Sequence, residues 1–305
     1  MKKVSIIGAT GYAGAELLRI LHNHPEAEVV HITSESHAGE AISDIYPHLK
    51  GIYDQKLMSM KDIETIGQDS DFVFIGLPHG HAMKVGKALE NMPTRIIDLG
   101  ADYRFNDTDI YEAWYKVPHT HKDAPRVYGL AELNREQIKD AKIIGNAGCY
   151  TTASILALAP LAKHHLIDVN TIIIDAKSGV SGAGRSAKQA NHFPELYDSF
   201  KAYGVATHRH TPEIEQAITE LSGESTVLNF TPHLVPMSRG ILSTCYAKLK
   251  EGVTDDMVTA AYEMLYPSTG PGRLSCYQEC SGFQLLRPGL ACGFPHQQSY
   301  CAVCY

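Results

Sequence analysis

Seven residues near the start constrain this chain more than any other stretch. Gly8-Ala9-Thr10-Gly11-Tyr12-Ala13-Gly14 places a glycine at every third position, directly after the β-branched run Val4-Ser5-Ile6-Ile7. It runs directly into Ala15-Glu16-Leu17-Leu18-Arg19-Ile20-Leu21, which is apolar at helical spacing. A buried strand, a glycine turn and a helix in that order open a parallel α/β sheet. Val29–Ile32, Phe72–Ile75 and Arg95–Asp98 read as further strands of the same sheet. The glycine spacing is a variant of the dinucleotide fingerprint, in which backbone N–H groups approach a pyrophosphate at a helix N-terminus. A bare strand-to-helix turn is the simpler alternative, and the strand–turn–helix context favours the cofactor. After the second strand, Thr33-Ser34-Glu35-Ser36-His37 leaves nucleotide choice open. Its hydroxyls suit a 2′-phosphate, whereas Glu35 suits the ribose hydroxyls of NAD.

Composition narrows the setting. The 305 residues carry 27 Lys+Arg against 34 Asp+Glu, a net charge of −7, with 44% hydrophobic and 20% charged residues. Those values exclude a mainly disordered chain and allow two domains. No apolar run approaches the ~18 residues of a membrane span, and glycine arrives too soon for a signal peptide. The acidic balance, with no basic cluster, argues against nucleic acid as a partner. A cytoplasmic location, with neither membrane nor nucleic acid as partner, is therefore expected. Of the seven cysteines, five (Cys276, Cys280, Cys292, Cys301 and Cys304) fall in the last 30 residues, unlike a secreted disulfide scaffold.

Cys149 stands apart. Gly145-Asn146-Ala147-Gly148 precedes it and the apolar stretch Ala153–Ala162 follows, so it lies at or just before a helix N-terminus. That position lowers a thiol pKa and favours a nucleophilic thiolate, although most free cysteines are small buried hydrophobes. Of the 16 histidines, His79/His81, His119/His121 and His208/His210 form H-x-H pairs, yet no spacing completes a metal site, and none is expected. Solvated or structural roles suit most of them. His208 differs, because Thr207-His208-Arg209-His210-Thr211-Pro212-Glu213 leads into a helix start where a carboxylate could orient an imidazole.

Five segments in one order resemble the N-acetyl-gamma-glutamyl-phosphate reductase family. They are 8–14, Gly-Asn-Ala-Gly-Cys-Tyr at 145–150, Lys-Ser-Gly-Val-Ser-Gly-Ala-Gly-Arg at 177–185, His-Arg-His-Thr-Pro-Glu at 208–213 and His-Leu-Val-Pro-Met-Ser-Arg-Gly at 233–240. The resemblance covers about residues 1–265. It implies a Rossmann-type parallel-sheet domain over 1–147 and an α/β catalytic domain of the semialdehyde-dehydrogenase type over 148–266, usually in a homotetramer. It implies NADPH as cofactor and an acyl-phosphate substrate in arginine biosynthesis, with Cys149 as nucleophile and His208 as acid/base. Arg104, His210 and Glu213 would hold the substrate. Gly8, Thr10, Gly11, Tyr12, Ala13 and Gly14 would hold the cofactor together with Ser34, Ser36, Pro78 and His79, and a second loop would add Ser178, Gly179, Ser181, Gly182 and Ala183. A related reductase of aspartyl or aminoadipyl phosphate, or a non-catalytic nucleotide-binding protein, are the alternatives. The family commonly has proline where this chain has Ala147 and Thr151, and often Arg where Glu35 stands.

The resemblance stops near Tyr266. The family continues with a motif Arg-Gly-Ser-Asn-(Tyr/Phe)-Cys-Asp, which this chain lacks. Codons can be chosen for residues 276–288 that, read from the second base, encode Val-Ile-Lys-Asn-Val-Arg-Gly-Ser-Asn-Tyr-Cys-Asp. Residues 267–305 are thus expected to be an aberrant, frame-shifted tail, irregular in structure, leaving one sheet edge of the catalytic domain uncovered and the activity weak or absent. A zinc knot from Cys276, Cys280, Cys301 and Cys304 is the rival reading.

Overall fold

The β-branched runs fold as strands, as their composition demands, and the helical repeats between them carry the crossovers. The computed structural model describes residues 1–267 and 300–304. The chain divides into two units, Met1–Gly148 and Cys149–Tyr305.

The first unit alternates β1 (Lys2–Ile7), α1 (Tyr12–His22), β2 (Ala27–Thr33), the single turn α2 (Ile42–Ile45), α3 (Ile63–Asp69), β3 (Phe72–Ile75), α4 (Ala82–Leu89), β4 (Arg95–Asp98), α5 (Thr108–Tyr115), β5 (Arg126–Gly129), α6 (Ala131–Asp140) and β6 (Ile143–Asn146). Its six strands lie in the order β2-β1-β3-β4-β6-β5, every pairing parallel. Period-two alternation sends side chains to two cores, because both faces of a parallel sheet are covered. Val4 and Ile6 join Leu18, Ile32 and Leu57 on one face, while Ile7, Val73 and Ile75 join Val85, Ile96 and Ile143 on the other. Each such aliphatic side chain removed from water contributes about 1.5–3 kcal/mol before chain entropy is subtracted. Between β1 and β3 the strand order reverses, which opens a crevice at their carboxyl ends.

The second unit starts with α7 (Cys149–Lys163) and continues through β7 (Ile167–Ser178), the single turn α8 (Phe193–Leu196), β8 (Lys201–Ala202), α9 (Thr211–Ser222), β9 (Asn229–Leu234), β10 (Ile241–Leu249), α10 (Asp255–Leu265) and β11 (Tyr300–Cys304). The mixed sheet runs β11-β10-β7-β9-β8. Ile172, Ile174, Ala176, Phe230, Cys245 and Ala247 are buried, whereas Ile173 (47% exposed) and Leu242 (38%) face the other way. Pro160 lies inside α7, and its missing N–H leaves the carbonyl four residues back without its helical donor. That carbonyl, on Leu156, accepts the Tyr266 hydroxyl at 2.7 Å, and the Tyr262 hydroxyl donates to Ala157 O next to it. Two tyrosines at the end of α10 thereby close the break in the helix that Cys149 begins.

The expected uncovered edge is corrected in part. Tyr300–Cys304 pairs in parallel with Ser243–Ala247 of β10. Main-chain bonding explains this, since an edge strand presents free N–H and C=O groups that accept any extended segment. The rest of the tail, with Cys276, Cys280 and Cys292, lies outside the described residues, as does the frame-shift reading built on it.

Candidate active site

In the first unit the glycine turn fills the carboxyl end of β1. Gly8 has φ +83°, and a Cβ there would stand 2.6 Å from Gly76 O; one on Gly14 would stand 2.6 Å from Ala9 Cα. Any side chain at either position would push the turn off β3 or α1 off the strand, so at these two positions the turn packs by backbone alone. Helix α1 begins at Gly11 with no side-chain cap and no acidic residue in its first turn. The N–H groups of Tyr12, Ala13 and Gly14 therefore have neither intrahelical acceptors nor a competing carboxylate, which is the arrangement that receives a phosphate. Thr10 Oγ1 meets Ser34 Oγ at 3.0 Å, and Ser34 Oγ lies 3.5 Å from Ser36 Oγ, so a line of hydroxyls joins the turn to the end of β2. Glu35 turns its carboxylate to the Met60 N–H at 3.4 Å. These residues fit a dinucleotide, and the engaged Glu35 fits one with a phosphate on its ribose. Pro78 and His79 follow Gly76 in the loop after β3, where the His79 ring packs edge-on against Tyr115 at 4.9 Å.

Asp102, buried to 1% exposure, ties that loop in place. It accepts the Gly80 N–H at 2.8 Å, the Ala82 N–H at 3.0 Å and the Tyr111 hydroxyl at 2.8 Å. Arg104, two residues on, is 5% exposed and donates to Asn146 O (2.8 Å) and Leu99 O (3.0 Å). Its charge thus lies at the carboxyl end of the sheet, held by carbonyls. Asp98 is wholly buried, and burial followed by the neighbouring Asp102 charge pushes its carboxyl up to about 7. A carboxyl raised in the folded state loses stability as pH climbs from its unfolded value to its folded one, because the unfolded chain releases the proton first. Asp98→Asn keeps the acceptor for Gly100 N–H and removes that cost. It should melt higher than the parent at pH 8, by about 2–4 °C for each kcal/mol gained in a domain of this size, with a smaller gain at pH 4. Thermal melts at the two pH values measure this; a variant less stable at pH 8 than at pH 4, relative to the parent, would show that the ion is wanted.

In the second unit Cys149 is the first residue of a 15-residue helix and is exposed, while Cys245 is buried. The helix N-terminus favours the thiolate. Two residues on, Thr151 Oγ1 donates to Glu213 Oε1 at 2.9 Å, both side chains fully buried, which joins the start of α7 to the start of α9. His208 and His210 precede α9. The His210 N–H donates to His208 Nδ1 at 3.1 Å, so the proton of the neutral imidazole sits on Nε2. Burial, then the Arg209 charge, brings His208 down to about 4 against a weaker opposing pull from Glu213. The ring lies among Tyr150 (5.8 Å), Tyr203 (5.5 Å), Phe230 (5.2 Å) and His210 (4.8 Å). Both phenols are pushed above their ordinary values, chiefly by burial, and both feel the charge of Cys149. Ser178 reaches the Tyr150 hydroxyl, and Gly179, Ser181, Gly182 and Ala183 continue from it in a turn held by Val180 N–H to Met237 O and Ser181 N–H to Ser238 O, each 3.0 Å.

The structure thus gathers the expected residues into two groups, each within one unit. Gly8 to Gly14, Ser34, Ser36, Pro78, His79 and Arg104 lie along one end of the first sheet. Cys149, His208, His210, Glu213 and the Ser178–Ala183 loop lie together in the second unit. Sequence reasoning missed Asp98, Asp102, Tyr150 and Tyr203. Only Asp102 had a signal, as an acidic residue in a loop that follows a parallel strand's carboxyl end. Among the described residues no group of three or more His, Cys, Asp or Glu could hold a metal, and no helix is long and apolar enough to cross a membrane.

Residues 3–141 match the family "semialdehyde dehydrogenase, NAD binding domain", and residues 149–271 match "semialdehyde dehydrogenase, dimerisation domain". The N-acetyl-gamma-glutamyl-phosphate reductase of Pelotomaculum thermopropionicum is 52% identical over 262 residues, covering 85% of this chain and 75% of the relative. That of Desulforamulus reducens is 51% identical over 268 residues, with 87% and 77% covered. Among solved structures, aspartate semialdehyde dehydrogenase II from Vibrio cholerae shares the fold with a TM-score of 0.63 at 15% identity, over 87% of this chain and 79% of that one. The Candida albicans aspartate semialdehyde dehydrogenase with NADP gives 0.61 at 18%, over 86% and 75%.

Proposed function

Since the chain belongs to the N-acetyl-gamma-glutamyl-phosphate reductases of the semialdehyde dehydrogenase family, we propose that it reduces N-acetyl-L-glutamyl 5-phosphate with NADPH through a thioester on Cys149. The products are N-acetyl-L-glutamate 5-semialdehyde and phosphate, a step of arginine biosynthesis. One observation carries the assignment of the chemistry: an exposed thiol heads a long helix, beside phenols that also wall a desolvated imidazole.

Cys149 attacks the carbonyl carbon of the acyl phosphate, the C–O bond to phosphate breaks, and the acyl group stays on sulfur. The proton lost by the thiol leaves with the phosphate. NADPH, when bound, supplies the hydride that takes the thioester to the aldehyde level. His208, neutral and protonated on Nε2, donates to the oxygen on which negative charge builds during attack and collapse, as a neutral imidazole does when its own pKa is held low. Collapse expels the Cys149 thiolate, which then takes a proton from solvent. A helix N-terminus stabilises that thiolate without a cation beside it. Sulfur matters here because a thioester yields to hydride more readily than an oxygen ester. Arg104 and His210 are proposed to hold the anionic substrate, while Glu213, buried against Thr151, steadies the start of α9 beside His210 instead of touching the substrate as expected. The hydroxyls of Thr10, Ser34 and Ser36, with Glu35 occupied by Met60, support NADP over NAD.

The match of the second unit to a dimerisation domain, and the exposure of Ile173 and Leu242 on its sheet, support a homo-oligomer, proposed as a tetramer. The proposed location is cytoplasmic. The test is a reverse assay with phosphate and NADP against N-acetylglutamate, aspartate and aminoadipate semialdehydes in parallel. Turnover of the first, tens-fold above the others, is expected; preference for aspartate semialdehyde, or NADP binding without phosphate-dependent turnover, would overturn the assignment.

A further inference from the structure

Tyr203 touches His208 through features that the reaction above does not use. Its backbone N–H donates to Pro232 O at 3.0 Å, which fastens the residue to β9. Its hydroxyl donates to the Tyr150 hydroxyl at 3.0 Å, and Tyr150 passes its own proton to His233 O at 3.2 Å. The ring packs at 69° against the His208 imidazole, 5.5 Å between centroids, while its far side is open, 37% of the residue being exposed. Gly204 follows with φ +57°, and a Cβ there would stand 3.3 Å from both His208 Cβ and Cδ2. The chain therefore turns tightly under the imidazole immediately after placing an aromatic ring over it.

From this we propose that Tyr203 is a positioning residue, the removable outer wall of an aromatic box that keeps His208 dry and in a single tautomer. Tyr150 from α7 and Phe230 from β9 form the inner walls, at 90° and 76° to the imidazole. Among the described residues, the titratable and charged groups that face the ring are Tyr150 from α7, Tyr203 from the loop after β8, and Arg209, His210 and Glu213 at the entry to α9, while the charge of Cys149 is felt by the two phenols. Arg209 opposes a second positive charge and Glu213 favours it, so the two partly cancel and dryness decides the outcome. The inner walls belong to the packed sheet and helix, whereas Tyr203 sits on an exposed turn. Of the three aromatic neighbours it is the one whose loss admits water without opening the core. The backbone bond to Pro232 and the edge contact with the imidazole hold the ring in place, and the His210 N–H on Nδ1 leaves Nε2 as the nitrogen the box presents.

The proposal rests on His208 serving the substrate carbonyl, so its test includes a measurement independent of turnover. His208 is titrated by NMR in the full chain, as parent, Tyr203→Phe, Tyr203→Ala and Tyr203→Gln. Tyr203→Phe keeps the wall and should titrate within about half a unit of the parent. Tyr203→Ala and Tyr203→Gln admit water and should raise the titration by at least one unit toward the ordinary imidazole value of about 6.5. The acid limb of kcat/KM should move by the same amount in the same variants, with KM for NADPH unchanged. Titration unmoved in both Tyr203→Ala and Tyr203→Gln overturns the proposal, and so does a shift in Tyr203→Phe as large as in Tyr203→Ala, which would assign the effect to the hydroxyl. A shifted titration without reductase activity would leave the box standing and refute the functional reading instead.

Discussion

Cys149→Ser should lower turnover by at least about 10⁴-fold, as removal of a nucleophile does in enzymes that work through a covalent intermediate, while the dissociation constant for NADP stays within a factor of two. Serine is nearly isosteric, and position 149 is exposed at the tip of α7, so nothing in the packing responds to the exchange. What changes is acidity and leaving ability. A hydroxyl at a helix N-terminus does not ionise near neutrality, and an ester formed on it resists hydride. Calorimetry with NADP and a phosphate-dependent assay measure the two halves separately. Iodoacetamide at pH 7 adds a check, because it should alkylate Cys149 well before Cys245, which is fully buried with its sulfur 3.7 Å from Ser243 Oγ. A serine variant that kept a tenth of the parent rate would end the thioester mechanism.

His208→Ala is expected to cost roughly 10²–10⁴ in kcat, the span usual for a positioned proton donor. The residue offers a finer test than deletion. Glutamine places an amide N–H near where Nε2–H stands, and asparagine places one near Nδ1. If the working proton is on Nε2, His208→Gln should recover at least about tenfold of the rate lost in His208→Ala, out of that 10²–10⁴, and His208→Asn should recover none. Stability gives the matching sign. The folded value of about 4 lies below the unfolded 6.5, so the unfolded chain binds the proton first and the fold loses stability as pH falls from 6.5 toward 4. His208→Gln should flatten that part of the stability profile in urea melts at stepped pH. Equal rates for the glutamine and asparagine variants would remove the tautomer from the mechanism.

Legibility in the sequence followed the range of the forces involved. Phe72–Ile75 and Arg95–Asp98 read as strands and fold over those same residues, since a buried parallel strand writes itself as a local apolar run. Helices α7 and α9 were equally plain, the second from Pro212 at its first turn. Cys149 was legible because its setting is local: glycine before it, helix after it. Asp98 and Asp102 were not, because their behaviour depends on burial against each other and on N–H groups of a loop some twenty residues away, Gly80 and Ala82. Tyr203 was hidden for a similar reason. Nothing around it in the chain distinguishes a ring that covers His208 from the exposed rings of Phe193, Tyr197 and Phe200 nearby. The sequence around His119 and His121 suits a solvated or a structural role, and the fold gives the structural one: both are buried, with His119 on Asp102 O at 2.7 Å and His121 on the Tyr103 hydroxyl at 2.8 Å.

The tyrosines that close the break in α7 mark a point along the chain where assembly of the catalytic helix is finished. Leu156 O receives a substitute donor from Tyr266, 110 positions later. A chain that stops short of that residue leaves this half-buried carbonyl of the helix bearing Cys149 without the tyrosine donor. Tyr266 is therefore the natural seam for chimaeras of this protein. A graft joined beyond it exchanges the following segment and leaves the nucleophile's support intact, whereas one joined ahead of it would have to bring its own hydroxyl to the gap made by Pro160.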